Sequence, residues 1–260
     1  MKVLILETAA QAVARATGFV VTMVQQKPDA VLGLATGGTM LPLYDCLRAR
    51  HLAEGVSFAG VSTFNLDEYI GLSPDHPCSY HHYMQKALFD HIDIDPARTH
   101  LPHGDSADPT AEAARYEALI AATGGIDLQL LGIGQNGHIG FNEPTSSLAS
   151  RTRLKTLTED TRRANQRYFD SFDDTPRYAL TMGVATILES KSCLLLATGS
   201  AKADAVAAMV EGPVAAICPA SALQLHRNVT VVLDQEAAAG LKLRTYYHHV
   251  HPKGDESAIG

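Results

Sequence analysis

A histidine, an asparagine and a glutamate lie close together in a glycine-rich turn, at His138, Asn136 and Glu143. The stretch 130–144 begins as an apolar run, which predicts a buried strand, and the turn follows it. An imidazole can move a proton near neutral pH, and a neighbouring carboxylate can orient or charge its ring. Parallel-sheet enzymes place such groups in loops at the carboxyl ends of strands. The alternative is an ordinary β-turn in which His138 is merely exposed.

An acidic pair, Asp67 and Glu68, follows a second apolar run at 56–64, which predicts another strand. Such a pair is usually a solvated turn. At the carboxyl edge of a sheet, however, it is also where a general base would be placed. The residues alone leave both interpretations open.

The segment 36–39, Thr-Gly-Gly-Thr, joins a predicted strand at 31–35 to a predicted helix. Glycines let the backbone turn tightly and approach a ligand closely. Thr39 is a candidate N-cap, and the free N–H groups of a helix N-terminus can hold an anion. The pattern suits a phosphate, but it is not a nucleotide P-loop because no Gly-Lys-Ser/Thr follows. A plain strand–helix turn is the alternative.

A polar, basic stretch follows Glu143, and a second strand–helix junction at 199–202 ends in Lys202. The basic residues of this stretch are Arg151, Arg153, Lys155, Arg162, Arg163 and Arg167. Many of them must be simply solvated. In a chain of net charge −7, a local concentration of guanidinium groups nevertheless suits a phosphorylated ligand.

Strands and helices alternate along the 260 residues. Further apolar runs predict strands at 2–6, 126–133, 192–198 and 228–233, and helical periodicity predicts helices at 9–26, 79–92 and 110–122. The alternation predicts an α/β fold with a mostly parallel sheet covered by helices, and loops at one edge forming the site. Since no linker or repeat interrupts the chain, we expect a single domain over 1–260.

The acidic composition argues against a nucleic acid or an anionic membrane as the main partner. No run approaches the roughly 20 apolar residues of a membrane helix, and Glu7 interrupts the amino terminus too early for a signal peptide. We therefore expect a cytoplasmic protein. The four cysteines form no CxxC pair, which indicates incidental thiols. The histidine-containing tail beyond Thr245 is predicted to be a loose or locally packed end.

Four segments in this order resemble the glucosamine-6-phosphate deaminases of the glucosamine/galactosamine-6-phosphate isomerase family. They are 34–39, 63–71, 132–144 and 146–156. The similarity covers nearly the whole chain and weakens in the last residues. It implies a Rossmann-like α/β sheet with helices on both faces. It also implies conversion of glucosamine 6-phosphate and water to fructose 6-phosphate and ammonia, with no metal or organic cofactor.

The resemblance assigns a role to each residue of the predicted site. His138 would shuttle a proton during ring opening, Asp67 would move the C2 proton to C1, and Glu143 would orient or charge His138. Asn136 stands where some family members have Asp. Because an amide can only orient the ring by hydrogen bonding, we expect Asn136 to be a supporting residue.

Further residues match the family's binding sites. The phosphate would lie on Thr36, Gly37, Gly38, Thr39, Arg167 and Lys202. Some members are allosteric hexamers activated by N-acetylglucosamine 6-phosphate, and Ser147, Arg153 and Lys155 match part of their activator site. That site also uses the amino terminus and a carboxyl-terminal tyrosine, and Tyr246 and Tyr247 are nearby here. The resemblance thus leaves open a homo-oligomer and a residual or altered activator site.

Three alternative functions remain at this point. A 6-phosphogluconolactonase shares the fold, but lactone hydrolysis needs no base at C2, so Asp67 argues against it. A galactosamine-6-phosphate deaminase differs only in the C4 hydroxyl of its substrate. A non-catalytic sugar-phosphate sensor usually carries a DNA-binding helix pair, and the sequence suggests none.

We also expect that the polar region 146–167 could close over the site as a lid.

Overall fold

Residues 1–255, the part of the chain that the computed structural model describes, form ten strands and eight α-helices. The strands are β1 (Lys2–Leu6), β2 (Val31–Leu34), β3 (Ser62–Asn65), β4 (Asp67–Tyr69), β5 (Thr99–His100), β6 (Leu128–Leu131), β7 (Arg153–Thr156), β8 (Tyr178–Thr181), β9 (Ser192–Ala197) and β10 (Val229–Asp234). The helices are α1 (Ala9–Gln26), α2 (Leu41–Glu54), α3 (Tyr80–Ala87), α4 (Pro109–Ala122), α5 (Glu159–Asn165), α6 (Val184–Leu188), α7 (Ala203–Glu211) and α8 (Arg244–Val250).

Seven strands form one sheet in the order β1-β10-β9-β6-β2-β3-β5, and every neighbouring pair is parallel. All residues of β2, β6 and β10 are buried. Strands covered on both faces are expected to be almost continuously apolar, which is why the apolar runs predicted them. The mostly parallel α/β sheet with helices around it is thus confirmed.

Helix α1 shows how the sequence sets one of the covering layers. Thr8 and Gln11 form a capping box at its start, and an apolar stripe that includes Val13 and Val20 is buried against the sheet and α2. Each such buried aliphatic side chain stabilises the fold by about 1.5–3 kcal/mol.

A second, smaller sheet was not predicted from the sequence. It is antiparallel, in the order β4-β8-β7, and both Asp67 and Arg153 are in register with Thr181 of the central strand. Both members of the acidic pair, Asp67 and Glu68, are buried in it, so their interpretation as a solvated turn is wrong. The preceding strand, β3, begins at Ser62, later than the predicted 56.

Two predicted helix starts have different outcomes. Ser79 caps α3 as its sequence position suggests, since its Oγ accepts a hydrogen bond from the His82 N–H at 3.0 Å. Thr39 does not cap α2. The N-cap is Met40, without a side-chain bond, because residues 37–40 form a turn closed by a 3.0 Å bond from the Met40 N–H to the Gly37 carbonyl.

As far as residue 255, the tail beyond Thr245 is locally packed rather than loose, and the rest of that prediction lies outside the described residues. Helix α8 and the short turn after it lie against β1, and the Tyr247 hydroxyl hydrogen-bonds Glu211 at 3.2 Å. No helix within 1–255 is long and apolar enough to cross a membrane.

Candidate active site

The predicted site residues gather at one edge of the large sheet. Strands β9, β6, β2 and β3 are consecutive neighbours, and all run in the same direction. Their carboxyl ends lead into Lys202, the glycine-rich loop 132–144, the segment 36–39 and Asp67, respectively. This is the edge at which open parallel sheets bind ligands.

Asp67 is held between the small sheet and the glycine-rich loop, and only 5% of its surface is exposed. At Gly140, where φ is +53°, a Cβ would lie 3.3 Å from Oδ2 of Asp67 and 2.9 Å from Oγ1 of Thr181. Glycine therefore allows the loop to approach the carboxylate this closely. The next N–H, of Phe141, donates to Thr181 Oγ1 at 3.0 Å.

The environment of Asp67 favours its protonated form. Burial, followed by the adjacent charge of Glu68, raises the pKa of Asp67 to about 8, although the backbone N–H of Phe141 acts in the opposite direction. Within 1–255, no Lys, Arg or His forms an ion pair with it. A carboxylate in this state takes up a proton readily, as a general base must.

His138 lies in a space that exists because residue 134 is glycine. A Cβ at Gly134 would lie 2.3 Å from Nε2 and Cε1 of the imidazole, so any side chain there would displace the ring. The side chain of His138 is 19% exposed, and its Nδ1 lies 3.4 Å from Oε2 of Glu143. Among the described residues, no hydrogen-bond partner is aligned with that Nδ1. The contact is therefore an electrostatic one between ring and carboxylate.

Glu143 connects the histidine to the start of α5. Its side chain is 2% exposed, and Oε1 accepts hydrogen bonds of 3.2 Å from both the backbone N–H and the hydroxyl of Thr158. Burial would raise the pKa of Glu143, but the neighbouring His138, Thr161 and Asn136 outweigh it and lower the pKa to about 2. Glu143 is thus a fixed negative charge beside the imidazole.

Asn136 has a structural role that an aspartate could not fill. Its Nδ2 donates to Glu143 Oε2 at 2.8 Å, while its Oδ1 accepts from the backbone N–H of His138 at 3.2 Å. The amide therefore links the carboxylate to the histidine backbone. An Asp here would bring a second carboxylate against Glu143, so the arrangement fits the expected orienting role.

The predicted phosphate residues also converge. Lys202 Nζ donates to the carbonyl of Ile133 at 2.7 Å, which joins the loop after β9 to the loop after β6. A Cβ at Gly38 would lie 3.6 Å from Nη2 of Arg167. Burial, followed by the charge of Arg167, lowers the pKa of Lys202. In the described chain, neither cation is paired with a carboxylate, so both can neutralise an anion near Gly38.

The residues matched to an activator site lie on β7 and in the loop that precedes it. Arg153 and Lys155 share one face of β7, and Arg153 Nη1 donates to Asn142 Oδ1 at 2.9 Å. Burial lowers the pKa of Arg153, and burial together with the charge of Arg153 lowers the pKa of Lys155. Ser147 is exposed in the preceding loop, where its Oγ accepts the N–H of Ala149.

Sequence reasoning missed two contributors to the site, Thr158 and Thr181, and it singled out Glu68 without predicting its burial. Thr158 holds Glu143, Thr181 receives the Phe141 N–H beside Asp67, and Glu68 is buried next to Asp67. Thr158 could have been found, because a threonine followed by Glu-Asp is an N-cap signature. The role of Thr181 and the burial of Glu68 become evident only when the small sheet is formed.

The model of the family described as glucosamine-6-phosphate isomerases/6-phosphogluconolactonase matches residues 6–232. The chain belongs to this family. Members from Shewanella loihica and Hahella chejuensis, both named glucosamine-6-phosphate deaminase, are 52% and 57% identical to it. The first match covers 96% of this chain and 93% of the relative, and the second covers 88% of each.

Solved structures of family members are similar as well. A monomeric glucosamine-6-phosphate deaminase superposes with a TM-score of 0.91 at 51% identity, over 92% of this chain and all of that one. A 6-phosphogluconolactonase from Trypanosoma brucei has a TM-score of 0.71 at 21% identity, over 92% of this chain and 98% of the other. The second likeness shows the shared fold alone.

Proposed function

We propose that this protein is a glucosamine-6-phosphate deaminase, which converts glucosamine 6-phosphate and water to fructose 6-phosphate and ammonia. The observation that carries the proposal is the buried carboxylate of Asp67, which pairs with no cation of residues 1–255. It lies at the edge where the proposed phosphate residues and the His138–Glu143 pair meet. The names of relatives more than 50% identical over most of the chain support it.

The phosphate is bound by Thr36, Gly37, Gly38 and Thr39, together with Arg167 and Lys202. The two cations neutralise its charge, and the turn at 36–39 offers backbone N–H groups. Because this end of the substrate does not react, its binding fixes the distance from the phosphate to the sugar carbons.

Ring opening is the first chemical step. His138 takes the proton of the anomeric hydroxyl and returns it to the ring oxygen, so that the C1–O5 bond breaks and an aldehyde forms. Glu143 stabilises the ring while it carries the proton, and Asn136 fixes the orientation of that pair.

Isomerisation and loss of ammonia follow. Asp67 removes the proton from C2 and delivers it to C1, which reduces C1 to the alcohol level and oxidises C2 to an iminium. Water adds to C2, and the carbinolamine expels ammonia to leave the ketone of fructose 6-phosphate. A base that is readily protonated suits this transfer, since it must hold the proton between the two carbons.

The lactonase alternative needs only water attack on a carbonyl, so it would leave the raised pKa of Asp67 without a purpose. The galactosamine epimer differs at C4, and none of the contacts described here discriminates between the two hydroxyl positions. The sensor alternative would likewise leave Asp67, His138 and Glu143 unused.

Product analysis with purified protein tests this function. Glucosamine 6-phosphate should give ammonia and fructose 6-phosphate in equal amounts, whereas 6-phosphogluconolactone should hydrolyse no faster than it does without protein. Turnover of galactosamine 6-phosphate but not of glucosamine 6-phosphate would identify the galactosamine epimer as the substrate. Tight binding of all amino-sugar phosphates without turnover would favour the sensor.

Regulation is a separate part of the proposal. Ser147, Arg153 and Lys155 bind N-acetylglucosamine 6-phosphate, with Arg153 and Lys155 as its cationic contacts. A homo-oligomer would accompany such regulation in this family, although one relative of solved structure is described as monomeric. If the dependence of rate on substrate is hyperbolic and this compound leaves it unchanged, the proposed activator site is wrong.

A single domain over 1–260, the cytoplasmic location and the lack of a cofactor stay predictions.

A further inference from the structure

Glu68, the neighbour of Asp67, is fully buried and has a complete set of hydrogen-bond donors. Its Oε1 accepts from the backbone N–H groups of Tyr69 at 2.8 Å and Tyr80 at 2.9 Å. Its Oε2 lies 2.9 Å from both the backbone N–H and the ring Nδ1 of His81. All backbone contacts are donors, so Glu68 acts as an acceptor, as an ionised carboxylate does.

The position of Glu68 is fixed from several sides. Tyr80 and His81 are the first two residues of α3, so the carboxylate ties β4 to the start of that helix. A Cβ at Gly104 would lie 3.0 Å from Cγ of Glu68 and 2.1 Å from the carbonyl of Tyr69. The loop at 104 therefore packs directly against the side chain of Glu68.

Side chains at successive strand positions point to opposite faces. Asp67 meets the glycine-rich loop at Gly140, whereas Glu68 meets α3. Glu68 therefore cannot reach a ligand held by Asp67, and it can act on the chemistry only through Asp67. No part of the reaction proposed above uses it.

The other titratable groups around the pair are tyrosines and histidines. Tyr69 of β4, Tyr80 of α3 and Tyr116 of α4 face Asp67, and burial raises the pKa of each tyrosine further above its ordinary value, so they stay neutral. His81 faces Glu68, and its ring centre lies 6.2 Å from that of the exposed His103. Glu68 is thus the charged neighbour of Asp67 among these groups.

We propose that Glu68 is a positioning residue for Asp67: anchored by the start of α3 and by His81, it maintains a negative charge that keeps the catalytic carboxylate basic. This inference rests on the proposed role of Asp67 as the base. Two like charges on adjacent residues repel, and protonation of Asp67 relieves the repulsion. The field of Glu68 therefore promotes proton uptake from C2.

The test compares the pH dependence of kcat/KM for glucosamine 6-phosphate in the wild type and in Glu68→Gln. The base must be ionised to act, so kcat/KM rises with pH as Asp67 loses its proton. Removal of the neighbouring charge should move this acid limb down by about one pH unit. Ionisations of the substrate are common to both proteins and cancel in the comparison.

Asp127→Asn is the matched control. Asp127 is also a buried carboxylate, but it forms ion pairs with Lys27 and Lys191. It lies just before β6, at the amino-terminal end of that strand and thus away from the site. This variant should be less stable than the wild type and keep the wild-type acid limb. An equal shift in both variants would mean that loss of any buried charge moves the profile, and this would overturn the inference.

His81→Phe provides a second variant if Glu68→Gln fails to fold. It keeps a ring at this partly exposed position and removes only the Nδ1 contact to Glu68. The charge of Glu68 is then less offset, so the acid limb should move up, opposite to Glu68→Gln. If the acid limb of the kcat/KM profile stays at its wild-type position in every variant that folds, the inference is overturned.

Carbon-13 NMR titration of the Asp67 carboxyl separates this inference from the proposed function. If the wild type proves inactive on amino-sugar phosphates, the function is wrong, but the titration still reports the environment of Asp67. A downward shift of its titration midpoint in Glu68→Gln would support the coupling. Identical midpoints would contradict it.

Discussion

Asp67 is a buried carboxylate with which no cation within 1–255 forms an ion pair, and this arrangement destabilises the fold when the group is ionised. Its folded-state pKa of about 8 exceeds the ordinary 3.8, so the protonated form stabilises the native state. That contribution is complete below about pH 4 and is lost as the pH rises through about 8. Active sites commonly contain groups that lower the free energy of unfolding but are needed for activity.

Replacement of Asp67 by Asn should therefore stabilise the protein at alkaline pH. The expected gain in the free energy of unfolding is a few kcal/mol at about pH 9 and is close to zero at about pH 4. Urea unfolding of both proteins at the two pH values would measure it. A gain that is the same at both values would mean that the burial of Asp67 carries no ionisation cost.

Gly134 provides another prediction at the residue scale. In Gly134→Ala the new methyl group must displace the imidazole of His138, so kcat should fall by about 10- to 100-fold while KM changes little. Gly18→Ala is the control, because it lies in α1 with no atom near its Cβ and should be neutral or slightly stabilising. Wild-type kcat in Gly134→Ala would show that the ring position is not critical.

Lys202 should contribute mainly to substrate binding. It belongs to the proposed phosphate site, beside the loop after β6, so Lys202→Ala should raise KM by roughly 10- to 100-fold and lower kcat much less. Lys191→Ala removes an exposed lysine just before β9, at the amino-terminal end of that strand and thus away from the site. It should leave KM unchanged. A collapse of kcat with constant KM would assign Lys202 to the chemistry instead.

At the scale of elements, helix α5 is directly connected to the site. Thr158 caps α5 and holds Glu143, and Arg167 in the short turn after α5 approaches Gly38. The segment 158–167 therefore contacts both Glu143 of the proposed proton-transfer pair and Gly38 of the proposed phosphate site. This geometry gives the predicted lid a physical basis.

Substrate should accordingly protect this segment from trypsin, which cleaves after exposed basic residues such as Arg163. Addition of glucosamine 6-phosphate should slow cleavage between 158 and 167, because Arg167 becomes bound to the phosphate. Cleavage elsewhere serves as an internal control. Equal cleavage with and without substrate would indicate that the segment does not close.

The elements also show how far the sequence predicts the structure. The buried parallel strands were predicted because burial on both faces makes them continuously apolar, as in β9 and β10. The small sheet was not, because β4 has three residues and β7 alternates half-buried and exposed residues, including two cations. Such short or polar strands gain their pairing from tertiary contacts, which local sequence does not encode.

The same distinction applies to the site. His138, Glu143 and the 36–39 turn follow strands of the large sheet, so topology alone brings them to one edge. The burial of Asp67 and Glu68 depends on pairing with Thr181 and Leu180, respectively, more than 100 residues further along the chain. Their environment, and hence the basicity of Asp67, was beyond what the sequence could indicate.

At the scale of the whole molecule, the fold does not decide the reaction. The deaminase and the lactonase of solved structure both superpose on this chain over 92% of its length. A fold shared by two reactions leaves the distinction to the site. Here the proposed distinguishing feature is Asp67 as the base for the C2 proton, a group that lactone hydrolysis does not need.

The most direct test is the release of ammonia and fructose 6-phosphate from glucosamine 6-phosphate, by the wild type and by Asp67→Asn together. We predict stoichiometric release by the wild type and a kcat lower by about 10²- to 10⁴-fold in the variant, with KM nearly unchanged. Release at similar rates by both proteins would preserve the function and contradict Asp67 as the base. Release by neither would contradict the function itself.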